Sequence, residues 1–112
     1  MALIEIKRAE AEMELRKWCA DHEYPGEIRY RYSIRSNDVT LVEERPPWDG
    51  RGEEWTQLPV ARFRFDPDAN GWTVSWLRQN RRWAPCDWIG APARFRDALA
   101  EVEADRHATF FG

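Results

Sequence analysis

The sequence is poor in cysteine, in histidine and in long apolar runs, and each shortage removes a class of protein. Two cysteines, Cys19 and Cys86, in 112 residues are too few for a disulfide framework and read as buried thiols. No apolar stretch approaches the roughly 18 residues that a spanning helix needs. The opening MALIEIKRAEAEMELRKW carries charge by its fifth residue and lacks the basic start and apolar centre of a secretory leader, so the expectation is a cytoplasmic protein without membrane contact. GxSxG, HExxH, a phosphate-cradling glycine loop and a dinucleotide fingerprint are all missing, and the glycines at 50 and 52 lack a following helix and lysine. The reading therefore leans away from an enzyme, with no catalytic residue and no cofactor expected.

Two weaker constellations stand against that reading. Cys19 and His22 stand three apart on a helical stretch, and Cys86 and Asp87 could complete a metal site with them. Both cysteines fall on core-facing positions, however, and zinc sites normally announce themselves with paired CxxC or HxxxH spacings, so no metal is expected. A nucleophile pair of Cys86 with His22 or His107 would need an exposed, electropositive thiol, which a core-facing strand position does not offer.

What is present is aromatic and charged. Seven tryptophans in so short a chain must each be core or contact surface. The hydrophobic share of 43% supports a packed core, and the 33% of charged residues a well-solvated exterior. The length fits one domain, residues 1–112. Charge is uneven within the net −3. Arg62, Arg64, Arg78, Arg81 and Arg82 against Asp66 and Asp68 leave segment 57–86 at +3, whereas Glu43, Glu44, Asp49, Glu53 and Glu54 against Arg45 and Arg51 leave 43–56 at −3. Such neighbouring patches either steer a charged partner or neutralise each other.

The pattern predicts an α+β fold: an N-terminal helix, a five-stranded antiparallel meander and a C-terminal helix, with both helices on one sheet face. Residues 6–21 place Ala11, Leu15, Trp18, Cys19 and His22 at helical spacing, and Tyr24-Pro25-Gly26 ends the helix. Strict alternation follows, with Ile28, Tyr30, Tyr32 and Ile34 on one face and Arg29, Arg31, Ser33 and Arg35 on the other. A turn at Asn37-Asp38 would set Ile34 against Leu41, Arg35 against Thr40 and Arg31 against Glu44. Residues 43–55, EERPPWDGRGEEW, read as a loop in which Pro46-Pro47 either present Trp48 or let it fold down over the core.

Pairing Asp66 with Gly71 sets Phe65 against Trp72, Phe63 against Val74 and Ala61 against Trp76, with Arg64 and Arg62 facing Thr73 and Ser75 on the reverse. A three-residue loop, Gln79-Asn80-Arg81, then pairs Trp76 with Ala84, Val74 with Cys86 and Trp72 with Trp88, and puts Leu77 opposite Trp83 outside. Arg81 takes the position that wants a left-handed residue, so positive φ is expected there. A second helix, 92–105, buries Phe95, Leu99 and Val102, and Phe110 and Phe111 dock the tail. The expected core is Leu15, Trp18, Ile28, Tyr30, Ile34, Leu41, Phe63, Phe65, Trp72, Val74, Trp76, Trp88, Phe95, Leu99 and Val102.

The ordered signals ELRKWCADHEYPGEIRYRYSIRSNDVTLVEERP, PVARFRFDPDANGWTVSW and the asparagine turn before RRW resemble a bacterial family known as domain of unknown function 3024. The likeness runs from about Glu14 to Trp88, with an echo in the terminal FFG. The resemblance implies a fold but no activity; where the family's second turn reads Asn-Gly, this chain has Arg81.

Two functional readings remain open. The favoured one is a small non-enzymatic binding or regulatory module that contacts a protein partner or a second copy of itself, since arginine and tryptophan are common interface anchors. The alternative is nucleic-acid binding through the arginine-rich outer sheet face, against which stand a pI of about 5.4 and aromatics that mostly point inward. The candidate contact residues are Arg29, Arg31, Arg35, Arg62 and Arg64, with Trp83, Trp48 and Trp55. The paired carboxylates Glu43/Glu44 and Glu53/Glu54 read as solvated loop ends pairing with Arg31, Arg45 and Arg51.

Overall fold

The computed structural model describes residues 4–47 and 54–111. Helix α1, Glu5–Asp21, is followed by strands β1, Arg29–Arg35, β2, Asp38–Arg45, β3, Thr56–Asp66, β4, Gly71–Leu77, and β5, Trp83–Pro85. A 3-10 turn, Asp87–Ile89, then leads to helix α2, Phe95–Ala104. The five strands form one antiparallel sheet in the order β1-β2-β3-β4-β5, so consecutive hairpins make a simple meander. Both helices cover one face. This is the expected α+β architecture.

Helix α1 buries Ala11, Leu15 and Trp18, which share one side at helical spacing. Cys19 and His22, expected on the same side, are only half-buried. After the helix, Gly26 adopts φ 76°, a left-handed conformation that a residue with a Cβ would resist, and lets the chain reverse into β1. Along β1 and β2 the period of two sends Tyr30, Val39 and Leu41 into the core.

The first hairpin turns at Ser36-Asn37, not at Asn37-Asp38, with Ser36 at φ 56°. The pairs are therefore Arg35 with Asp38, Ile34 with Val39, Arg31 with Val42 and Arg29 with Glu44. This register differs from the expected one by two residues, so every side chain keeps its face. Two gains explain the choice. Val39 becomes fully buried opposite Phe63, and Asp38 enters the strand, where its carboxylate meets Arg64 at 2.6 Å.

Strand β2 continues through Arg45, so Glu43 and Glu44 belong to a strand and not to a loop. The β2-β3 register shifts between Leu41 and Val42, whose partners are Ala61 and Pro59, leaving Val60 as the extra residue of a bulge. Val60 and Ala61 are both buried as a result. Pro59 is tolerated because β3 pairs with β4 only over Arg62–Asp66, so no ladder donor is missed on that side.

The β3-β4 ladder runs in the expected register from Arg62 with Ser75 to Asp66 with Gly71, but it stops there, so the expected pair of Ala61 with Trp76 is not part of it. In the next hairpin Trp76 pairs with Ala84 and Leu77 with Trp83, and Arg81 has φ 67°. The expected pairing of Trp72 with Trp88 does not occur. Strand β5 ends at Pro85, and the Trp72 N–H is already given to Pro92 O at 2.8 Å, which leaves Trp88 43% exposed beside His107. The same contact delays the second helix, which starts at Phe95 and not at residue 92.

Of the expected core, Leu15, Trp18, Tyr30, Leu41, Phe63, Trp72, Val74, Phe95, Leu99 and Val102 are buried, and Ile28, Ile34, Phe65 and Trp76 pack against them half-buried. Phe63 lies at the centre, with its ring 4.7 Å from that of Phe95. Phe95 in turn meets Trp72 edge-on at 4.9 Å.

The tail docks through a device the periodicity did not show. Asp105, at the end of α2 with φ 45°, accepts hydrogen bonds from the backbone N–H groups of Thr109, Phe110 and Phe111 at 2.7, 2.9 and 2.9 Å. Phe110 packs against the core, and the Phe111 ring lies 6.5 Å from Trp18.

Replacing Phe63 by Ala is expected to cost about 3–5 kcal/mol, the usual range for emptying an aromatic core site, read as a fall in chemical-denaturation stability. A loss no larger than that of a surface variant would contradict this core. Gly71→Ala is expected to destabilise by about 1–3 kcal/mol through overpacking, because an added Cβ would lie 2.0 Å from the Ala91 carbonyl oxygen. A melting temperature equal to that of the parent would show that the Ala91 segment yields freely.

Candidate functional site

The sheet face away from the helices presents Arg29, Arg31 and Arg35 from β1 and Arg62 and Arg64 from β3, placed there by the period of two. Their charges are largely engaged. Glu44, on the same face of β2 and only 6% exposed, accepts from Arg29 Nε at 2.6 Å and from Gln57 Nε2 at 2.7 Å, and lies 3.9 Å from Arg31 Nε. Arg31 also donates through Nη1 to the Tyr30 carbonyl at 2.9 Å. Asp38 takes Arg64, leaving Arg35 exposed beside it and, among the described residues, without an ion pair of its own.

Two tryptophans complete the face. The Arg29 guanidinium stacks 4.0 Å from the Trp55 ring, and the Arg62 guanidinium 4.4 Å from the Trp83 ring. Each pair presents a flat, ordered cation on an aromatic plate, at opposite ends of the sheet face. Arg62 Nε is buried and has no hydrogen-bond partner, so that guanidinium relies on stacking for its inner side. Trp48 lies outside the described residues, as does Glu53.

Glu43 occupies the opposite, helix-covered face, 8% exposed, where it pairs with Arg45 at 2.5 Å and stands across from Tyr30. Neither member of the Glu43/Glu44 pair is a solvated loop end. Their burial follows from β2 running through Arg45, three residues into the stretch whose prolines and glycines read as a loop. The expected links to Arg31 and Arg45 form, while the stronger partners Arg29 and Gln57 depended on the true register and on the bulge.

The remaining candidates separate. Burial pushes the Cys19 thiol up to about 11, against the opposing charge of Arg31, and pushes Cys86 up to about 11 with help from Asp87, so both are protonated at neutral pH. His22 is stacked on Trp18 at 4.0 Å and bonded to Glu103 at 2.8 Å. Among the described residues no group of three or more histidine, cysteine or acidic side chains is placed to hold a metal ion. No described helix is long and apolar enough to cross a membrane.

With the arrangement described, residues 3–112 match the family described as Domain of unknown function (DUF3024), and the chain belongs to that family. Comparison with curated proteins and with solved structures finds no match.

Burial alone would raise the Glu44 carboxyl, but hydrogen bonds from Gln57 and Arg29 and the charges of Arg29 and Arg31 outweigh it and hold it below the usual carboxylate range. A carboxyl lowered in this way stabilises the fold above its unfolded value, and the contribution fades as pH falls through the folded one. Glu44→Gln is therefore expected to be less stable than the parent at pH 7, with the gap narrowing below the ordinary carboxylate value of about 4.3. Urea midpoints across pH 3–7 measure this, and a pH-independent gap would refute it.

Proposed function

We propose that this chain is a small non-enzymatic binding or regulatory module of the bacterial cytoplasm that acts through protein contacts made by its open sheet face, with a second copy of itself as one candidate partner. One observation carries the reading: the paired stacks of Arg29 on Trp55 and Arg62 on Trp83 on a sheet face that no helix covers. Arginine and tryptophan already held in place lose little side-chain freedom on binding, which is how interface anchors reach large contributions. The carboxylates point the same way. A face meant for phosphates leaves its cations free, whereas Arg29 and Arg64 are committed to Glu44 and Asp38, which disfavours the nucleic-acid alternative.

The test is affinity capture from the native cytoplasm with the parent and with Arg62→Ala/Trp83→Ala, alongside light scattering of the purified chain. A partner, or a dimer, is expected that the double variant holds about 2 kcal/mol more weakly, roughly thirtyfold in Kd, while Met13→Ala on exposed α1 leaves binding unchanged. Identical captured proteins with all three chains, together with a strict monomer, would overturn the reading. Salt-sensitive binding of labelled oligonucleotides that vanishes in Arg62→Ala/Arg64→Ala would replace it with the alternative.

A further inference from the structure

Among the described residues strand β1 pairs only with β2 and so ends the sheet. The two-residue turn after Arg35 makes Arg35 and Asp38 a hydrogen-bonded closing pair. By alternation, Ser33, Arg31 and Arg29 also bond to β2, whereas Tyr30, Tyr32 and Ile34 direct their N–H and C=O groups away from the sheet. Ile28, just before the strand, is occupied by its bridge to Tyr24, and the Tyr30 carbonyl by Arg31 Nη1. Among the described residues, the ladder groups left open are those of Tyr32 and Ile34.

Two further features lie along this edge. On the outer face Arg31 and Arg35 flank the open groups, the first held at 3.9 Å from Glu44 and the second exposed. On the helix side a cleft of about 320 Å³ separates β1 from α1, lined by Tyr30, Tyr32 and Arg31, which reaches round the edge, on one wall and by Arg16, Cys19, Ala20 and Glu23 on the other. We propose that the β1 edge accepts an extended acidic segment of a partner protein as a sixth strand. Its carboxylates would meet Arg31 and Arg35, and its alternate apolar side chains would enter the cleft beside Tyr32.

Charge decides the occupant. A second copy pairing antiparallel about Tyr32 would set Arg29 against Arg35 of its neighbour, and like charges directly opposite each other destabilise a ladder. In that register, which pairs the most of the two strands, the arginines oppose self-pairing, a common defence of edge strands, while leaving the edge complementary to an acidic strand. Strand addition of this kind takes affinity from main-chain hydrogen bonds and specificity from alternate side chains. The inference rests on the protein-contact reading above and deepens it, because Arg31 and Arg35 belong to both the edge and the open face.

The test uses the full chain and a fluorescein-labelled peptide that alternates glutamate with valine over the length of β1, followed by fluorescence anisotropy. Binding is expected for this peptide and not for its lysine counterpart. It should weaken by about tenfold or more in Arg31→Glu/Arg35→Glu, and to a similar degree for parent protein when the peptide amides on one ladder edge are N-methylated. That last arm leaves the protein unaltered, so it holds even if the charge-reversed variant folds poorly. No binding, or equal binding of the N-methylated peptide, would overturn strand addition. A captured partner that still depends on Arg62 and Trp83 would then leave the open-face reading standing without it.

Discussion

One carboxylate ties together both helices and the sheet they cover. Glu10, on α1, accepts from the indole Nε1 of Trp72 at 3.2 Å and from the backbone N–H of Phe95 at 2.5 Å through the same oxygen, Oε2. The residue before α2 is Arg94, whose side chain makes no capping bond, so the cap of α2 comes from another helix. A carboxylate there satisfies an otherwise unpaired donor and complements the positive end of the helix. The same contact lets a tryptophan be fully buried on β4 with its N–H bonded, and Lys7, 3.4 Å from Glu10 and stacked over Phe65, neutralises it from the α1 side. Close approach at Gly71 and the bond from Trp72 to Pro92 then bring the segment leading into α2 against β4.

With the helices fastened to one face, the other is free to be polar, and its polarity is organised. Arginines alternate with short or apolar residues along β1 and β3, and β2 between them supplies Asp38 and Glu44 within reach of both. The result is a cation-rich surface in which most guanidinium groups are held in place, by a carboxylate or by a ring. That ordering, more than the count of arginines, is what the protein-contact proposal rests on.

Much of this was legible in the residues. Alternation assigned the faces of β1, β3 and β4, and the β3-β4 register was readable because a slip of one would have mixed arginine with tryptophan all along the ladder. The positive φ of Arg81 was readable from loop length alone. The Glu10 clasp was not, since its partners lie 62 and 85 positions away and no local pattern marks a glutamate that reaches another helix. Trp88 misled for a related reason: it continues the alternation of β5, but the backbone group it would have paired with is taken by Pro92. On the candidate face the arginines followed from parity. Their partners depended on the bulge at Val60 and on a loop whose start was misjudged.

The turn at Ser36-Asn37 has a consequence for how this chain can vary. A hairpin that closes two residues away from an equally plausible register shows that the tip can gain or lose length in even steps while the inside stays inside. An odd step, with β2 held in place by β3, would turn Tyr30 of β1 outward and bring Arg31 and Arg35 inward, where the helix-covered core has no partner for their charges. The turn length thus fixes on which face the arginines of β1 stand, and it fixes all three of them together.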